Sequence, residues 1–375
     1  MKVACVVGIV TPYTHRMFEQ LGAELEGELV VFACGDNEPG RHWTLPAATT
    51  YTRKTLKGIR LHRSYVSHIY LNPGIVPAIM RGQFDVVMIG DFSPTMMLAK
   101  LAGRLRGVPV IISTDGQPDT DPGRHSLLHR IARRLVVPSS AGGVGASRGS
   151  IKLLESYGLR QGTGTIVWLT PGWDFDREPP PYDERPFDLM FCGHLDEDRK
   201  GALFFADVVA ALVARGRTPK VRITGEGPLR DKLLARLKAL NVPTQFDGYL
   251  GQAALGDAYA SAKVFLFPSR GDPWGLVANE ALQCGTPVIV SPHAQAGREL
   301  VAPSGAGRML PLDVEAWADT AETFLDDRAV WAEAHRRAQV TAERFSLDAM
   351  VRNTLSAFAR VVGDGPEPNP ARTGR

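Results

Sequence analysis

Cysteine is scarce. Four occur in the 375 residues, at Cys5, Cys34, Cys192 and Cys284. None stands in a CxxC pair and no histidine cluster has zinc spacing, so neither a disulfide framework nor a structural zinc site is expected. Cys5 and Cys192 fall in apolar runs, as buried free thiols do, and a reducing cytoplasmic compartment suits this usage. No uninterrupted apolar stretch reaches the ~18 residues of a membrane span. The run after Lys2 superficially resembles a signal peptide, but it ends at Val10 and reads better as a first strand. A dominant charge is also lacking. The net charge of +3 argues against a dedicated nucleic-acid binder, which is usually more basic. No GxGxxG follows the first strand and no GxxxxGK(S/T) occurs, so dinucleotide and P-loop readings lack their phosphate cradles. No internal repeat is found.

What is present is ample core material, with 44% hydrophobic and 22% charged residues, at a length that suggests two domains. Short apolar runs alternate with longer helical patterns. Strands are expected at Val3–Val10, Leu29–Ala33, Val86–Ile89, Val108–Ser113, Leu135–Val137, Leu189–Cys192, Val221–Thr224, Val264–Phe267 and Val288–Val290. Their continuous apolar character points to parallel sheets covered on both faces. Helical patterns intervene, among them Thr95–Leu105, Leu203–Arg215, Leu229–Leu240 and Leu276–Cys284. This alternation implies α/β domains with right-handed crossovers. The stretch Thr170–Pro186, TPGWDFDREPPPYDERP, breaks the pattern and reads as a stiff linker. The expected organisation is a first domain over 1–170, a linker over 171–186, a second domain over 187–345, a helix over 346–362 with Ser346 as N-cap, and a disordered Pro/Gly-rich tail over 363–375.

The most informative stretch is Phe265–Val301, FLFPSRGDPWGLVANEALQCGTPVIVSPHAQAGRELV. A strand ends at Phe267, a turn-rich loop follows, and a helix runs from Leu276 to Cys284, closed by Gly285. The amides of Gly275, Leu276 and Val277 sit at that helix start, where backbone N–H groups and the helix dipole bind phosphate. Asp272 and Glu280 flank it, eight positions apart. Two carboxylates there make sense as hydroxyl acceptors on either side of a diphosphate, one for a sugar and one for a ribose. The bland alternative is a helix-capping aspartate and an ordinary helical glutamate.

This stretch resembles the signature of retaining glycosyltransferases of GT-B architecture, in particular glycosyltransferase family 4 (glycosyl transferases group 1), which places two glutamates with seven residues between them before a Cys-Gly-Thr-Pro-Val strand entry. The resemblance implies two Rossmann-like domains facing a cleft, the C-terminal helix packing back on the N-terminal domain. It implies that Asp272, in place of the usual Glu, contacts donor-sugar hydroxyls, that Glu280 contacts the ribose, and that the Gly275–Val277 amides hold the diphosphate. Three more segments fit in order. In LMFCGHLDEDRKGALFF the resemblance puts Gly193 and Lys200 at the donor diphosphate, with His194 where the family has Arg and Arg199 as a substitute guanidinium. Gly225–Pro228 resembles the family's Gly-x-Gly-Pro turn, and Gly248–Leu250, with Tyr249, would line the base pocket. In the first half, GIVTPYTHRMFEQLG resembles the first strand–loop–helix, turning Gly8 and Thr11 toward the cleft as candidate donor-binding residues. Asp115 stands where relatives carry a His near the reacting sugar.

The expected activity is a hexosyltransferase-like, retaining, metal-independent transfer of sugar from a nucleotide-diphosphate donor. The acceptor is a glycan, lipid-linked or small molecule, no cofactor beyond the donor substrate is needed, and no metal site is assigned. Lys200, Asp272 and Asp115 are the candidate catalytic residues. Rival readings are a nucleotide-sugar epimerase, a glycan phosphorylase, a two-domain small-molecule binder and a catalytically inactive sugar-nucleotide binder. GRHSLLHRIARRL, Gly123–Leu135, is basic with apolar residues at helical spacing. Its bland reading is a helix with its apolar face on the domain. The sharper one is peripheral membrane contact through Arg124–Leu135, or contact with a phosphorylated acceptor.

Overall fold

The computed structural model describes residues 1–36, 45–64, 67–119 and 121–363. The chain divides into two compact units, Met1–Gly172 with Leu347–Arg375, and Trp173–Ser346. The division falls within the proline-rich segment. All of the expected disordered tail except Gly363 lies outside the described residues.

The first unit contains β1 (Lys2–Val7), α1 (Pro12–Glu24), β2 (Glu28–Ala33), β3 (Thr52–Thr55), β4 (Ile59–Ser64), β5 (Ser67–Leu71), α2 (Ile75–Gly82), β6 (Val86–Gly90), α3 (Pro94–Leu105), β7 (Val110–Thr114), α4 (Leu127–Val136), β8 (Gly142–Gly145), α5 (Arg148–Ser156) and β9 (Gly164–Ile166). Among the described residues its main sheet has seven strands in the order β3-β2-β1-β6-β7-β8-β9, all paired in parallel. β4 and β5 form a separate antiparallel hairpin. The second unit contains β10 (Phe187–Cys192), α6 (Ala202–Ala214), β11 (Val221–Thr224), α7 (Arg230–Ala239), β12 (Thr244–Gly248), α8 (Gln252–Ala260), β13 (Ala262–Phe267), α9 (Leu276–Gln283), β14 (Val288–Val290), α10 (Ala302–Ser304), β15 (Gly307–Met309), α11 (Val314–Asp326) and α12 (Arg328–Arg344). Its parallel sheet runs β12-β11-β10-β13-β14-β15. The last helix, α13 (Leu347–Val362), returns to the first unit. Its Val351, Ala357 and Phe358 share a core with Val3, Cys5, Val31 and Ile111 on one side of the first sheet. Ala4, Val6, Val87 and Ile112 face the other side.

The apolar central strands sit where their composition puts them. The polar strands β3, β9, β12 and β15 lie at the four sheet edges, where one partner and more solvent remove the need for an apolar run, and they were not foreseen. β8, GGVG, was also missed. A Cβ on Gly143 would lie 2.6 Å from Leu159 Cδ2, and one on Gly145 2.8 Å from Ile151 Cδ1, so close approach of neighbouring side chains, not β-propensity, selects glycine there. The strand expected at Leu135–Val137 does not form. These residues end α4, because Leu127, Ile131 and Leu135 repeat at the helical interval of four.

The proline-rich segment is anchored in the second unit by Arg185, which is 2% exposed. Its guanidinium donates to the carbonyls of Pro180 (2.9 Å), Ala262 (2.8 Å) and Cys284 (2.9 Å) and to the Thr286 hydroxyl (2.7 Å). It therefore ties the segment to β13 and to the C-terminal end of α9.

Candidate functional site

In open parallel sheets, ligands bind beyond the carboxyl ends of the strands where the strand order reverses. In the second unit that point lies between β10 and β13. The loop after β10 carries Gly193, His194, Arg199 and Lys200. The loop after β13 carries Asp272 and Gly275. These two loops meet. Lys200 Nζ lies 2.5 Å from Asp272 Oδ2, with the two side chains only 10% and 16% exposed. The ammonium also sits 5.3 Å from the centre of the Phe267 ring. The backbone of Lys200 is held by Asp196 Oδ1, which accepts from the amides of Arg199 (3.1 Å) and Lys200 (2.7 Å). Asp196 is thereby committed to shaping the loop.

Glycines let the strand ends crowd together. Gly193 lies against the Lys200 stem, 3.6 Å from an ideal Cβ to Cδ. Gly225, after β11, has φ +125°, and a Cβ there would fall 1.9 Å from the Gly193 carbonyl oxygen. Its amide donates to the Gly248 carbonyl at 2.7 Å. The Gly225–Pro228 turn is thus packed on the β10 loop, with Leu195 donating to the Glu226 carbonyl. Beyond Gly248, Tyr249 is 75% exposed and Leu250 half-buried. His194 and Arg199 are exposed.

Gly275 is the N-cap of α9, left-handed at φ 100°, with no side chain capping it. Asp272 does not cap this helix. Its Oδ1 accepts from the Trp274 amide at 3.3 Å, and its Oδ2 faces Lys200. The amides of Leu276 and Val277 open the first turn, aligned with the positive end of the helix dipole. One turn further, the Tyr259 hydroxyl donates to Glu280 Oε2 at 2.8 Å. Burial pushes the Glu280 carboxyl above its usual range, against hydrogen bonds from Tyr259 and Trp173 and the nearby Lys200 charge. Tyr259, Trp173 and Phe267 were not among the foreseen site residues, since buried aromatics carry no signal that separates them from core.

In the first unit the strand order reverses between β1 and β6, and a cavity of ≈ 230 Å³ opens there, lined by Tyr13, Thr14, Gly90, Asp91, Thr114 and Asp115 among others. Asp115 is exposed at its rim. Thr11 is the N-cap of α1 and shares a capping box with Thr14, accepting from the Thr14 amide at 3.3 Å. Gly8 lies against the Tyr70 ring, 3.2 Å from an ideal Cβ to Cε2. Asp91 was overlooked. It follows β6 with φ 107°, a conformation that costs energy for a non-glycine residue, and its Oδ1 accepts from the Ser93 amide at 2.6 Å. Burial, reinforced by the charge of Asp115, pushes its carboxyl up to about 6. The available signal was an acid directly between a strand and a Ser-Pro helix start.

Asp-x-Asp triplets occur at Asp119, Asp174 and Asp196. Among the described residues no group of three or more His, Cys, Asp or Glu is placed to hold a metal. No helix of the described residues is long and apolar enough to cross a membrane.

Residues 186–327 match the family model described as glycosyl transferases group 1. A GDP-mannose-dependent alpha-(1-6)-phosphatidylinositol dimannoside mannosyltransferase of Mycobacterium tuberculosis is 39% identical over 119 residues, 32% of this chain and 30% of that protein. The chain therefore aligns with less than a third of that relative. The crystal structure of Anabaena Alr3699/HepE in complex with UDP and glucose superposes with TM-score 0.71 at 15% identity, covering 96% of this chain and 99% of that one. WaaG, a glycosyltransferase involved in lipopolysaccharide biosynthesis, gives TM-score 0.67 at 15% identity, covering 96% of this chain and 100% of that one. The chain thus has the GT-B fold of two parallel-sheet α/β domains, and residues 186–327 of its second unit are similar to the group 1 glycosyl transferase domain.

Proposed function

We propose that this chain is a glycosyltransferase whose second unit holds a nucleotide-diphosphate sugar. The observation that carries the reading is the convergence, at the reversal point of the second sheet, of the Lys200–Asp272 pair and the open helix start at Gly275. Glu280 lies one turn further along that helix. In this reading Lys200, Arg199 and the amides of Gly275, Leu276 and Val277 take the diphosphate, and Glu280 takes the ribose hydroxyls. Asp272 takes sugar hydroxyls once phosphate competes for Lys200. Gly193, His194, Gly225, Tyr249 and Leu250 border the nucleotide. Positive charge aimed at the leaving diphosphate stabilises the charge that grows in the transition state. We assign the reaction to the retaining, metal-independent class. The acceptor attacks from the face the leaving group departs, and a diphosphate oxygen takes the acceptor's proton. Asp115 and the cavity of the first unit are assigned to the acceptor.

The test is a thermal-shift and calorimetric screen of the full chain against UDP-, GDP-, ADP- and TDP-sugars, since a ligand that binds only the folded state raises the melting temperature. Donor consumption is then followed with EDTA present, and the anomeric configuration of the product is read by NMR. One donor series should stabilise the protein and be turned over with EDTA present, with retention. No stabilisation by any nucleotide overturns the reading. Donor epimerised without a new glycoside assigns the chain to the epimerase class instead.

A further inference from the structure

The basic, apolar helix α4 is oriented the opposite way from an ordinary surface helix. Leu127, Leu128 and Leu135 are 68%, 79% and 64% exposed, and Ile131 is exposed as well. The residues turned inward are Val136 and Arg133. Arg133 holds the helix in that orientation. Its Nε lies 2.7 Å from Asp121 Oδ1, its guanidinium carbon lies 4.4 Å from the centre of the Phe92 ring, and its Nη1 donates to the His129 carbonyl at 3.0 Å. A buried arginine, not the leucines, therefore chooses the face that α4 turns to the domain. Four large apolar side chains at positions i, i+1, i+4 and i+8 are left in water, where the same helix rotated about its axis would bury them.

The apolar face continues onto α3. Leu101 and Leu105 are exposed, and Leu101, Arg104 and Leu135 line one groove of ≈ 440 Å³ together with Leu71. Lys100 fixes the two helices against each other, its ammonium donating to the Val136 carbonyl and, at 2.8 Å, to the Ser140 hydroxyl. Neither α3 nor α4 contains an acidic residue. Arg104, Arg106 and Arg134 are exposed on or beside them, with no ion pair among the described residues. Arg124 pairs with Asp119 at 3.4 Å. An apolar strip edged by unpaired arginines complements a surface that is anionic at the outside and apolar within. A second copy of the same face would set arginine against arginine with no acid to answer it.

We propose that α3 and α4 form a docking surface for an anionic lipid bilayer, the leucines entering the headgroup–acyl boundary and Arg104, Arg106 and Arg134 meeting lipid phosphates. The surface belongs wholly to the first unit and does not rest on the donor site.

The experiment is flotation of the full chain with vesicles of phosphatidylcholine alone or of phosphatidylcholine with phosphatidylglycerol, at low and high salt. The expected result is binding to the anionic vesicles at low salt, lost with neutral vesicles and weakened by salt. The Arg104→Gln/Arg134→Gln variant should bind roughly 30-fold more weakly, as about fivefold per basic residue multiplies. The Leu128→Ser/Ile131→Ser variant should lose at least about tenfold, with an unchanged melting temperature and unchanged nucleotide affinity. If the serine variant melts earlier, the arginine variant, which alters exposed side chains alone, decides. No binding to anionic vesicles at low salt, equal binding to neutral ones, or a wild-type dimer in light scattering that Leu128→Ser/Ile131→Ser dissociates would each overturn the proposal.

Discussion

Asp272→Asn should tighten the binding of a bare nucleoside diphosphate while impairing use of the nucleotide sugar. Lys200 is neutralised by Asp272 at 2.5 Å, so an arriving diphosphate meets a salt bridge. Two unit charges 4 Å apart interact by about 4 kcal/mol at an effective dielectric of about 20. At a separation of about 6 Å and the same dielectric, the repulsion between Asp272 and the diphosphate is about 2.8 kcal/mol, roughly a hundredfold effect. Asparagine keeps the oxygen that accepts from the Trp274 amide, so the loop before α9 should hold its shape. Isothermal titration of UDP and GDP into wild type, Asp272→Asn and Lys200→Met is the assay. The expected order of affinity is Asp272→Asn above wild type above Lys200→Met, with sugar transfer reduced in both variants. Unchanged or weaker diphosphate binding by Asp272→Asn would refute the reasoning, because the phosphate would then not come to Lys200.

Glu280→Gln should lower nucleoside diphosphate affinity by about 1.5–3 kcal/mol without changing the fold, since Tyr259 keeps an acceptor; calorimetry against ribo- and dideoxynucleotides should show the wild-type preference for ribose disappearing. Asp91→Asn should stabilise the protein at pH 8 and be nearly neutral near pH 4. The folded-state pKa of about 6 lies above the unfolded value, so the native state holds the proton more tightly and wild type loses stability as pH rises through that window, by up to about 3 kcal/mol. Urea midpoints across pH check this, and a variant whose advantage grows toward acid would contradict it. Arg185→Ala should cost about 3–5 kcal/mol, because it opens a cavity and leaves several buried carbonyls without donors; a urea midpoint within error of wild type would show that these contacts do not hold the proline-rich segment.

Much of the architecture was legible because burial on both faces forces a composition. β1, β2, β6, β7, β10, β13 and β14 each have sheet neighbours on both sides and helices above and below, so each is a run of apolar residues that can be read directly. The start of α9 was legible for a local reason, since a left-handed cap requires glycine and Gly275 stands there. Edge strands such as Thr52–Thr55 escape this logic. So does β8, whose glycines answer to side chains of Leu159 and Ile151 that are distant in the pattern.

Within the candidate site, the spacing of Asp272 and Glu280 about a helix start made them candidates beside a bland capping alternative, and Lys200 entered only through the resemblance to the glycosyltransferase signature. That Lys200 and Asp272 neutralise one another across 72 positions, and that Asp272 does not cap α9, depended on which strand ends the sheet order brings together. The strained, proton-holding environment of Asp91 likewise comes from the reversal point between β1 and β6, not from its neighbours in sequence. The helix Leu127–Val136 shows the division plainly. Its periodicity determined that it is a helix with an apolar face, because spacing along one segment suffices for that. Which face turns inward was decided by Asp121 and Phe92, which capture Arg133 from outside the helix, and a contact between separate segments has no period to read.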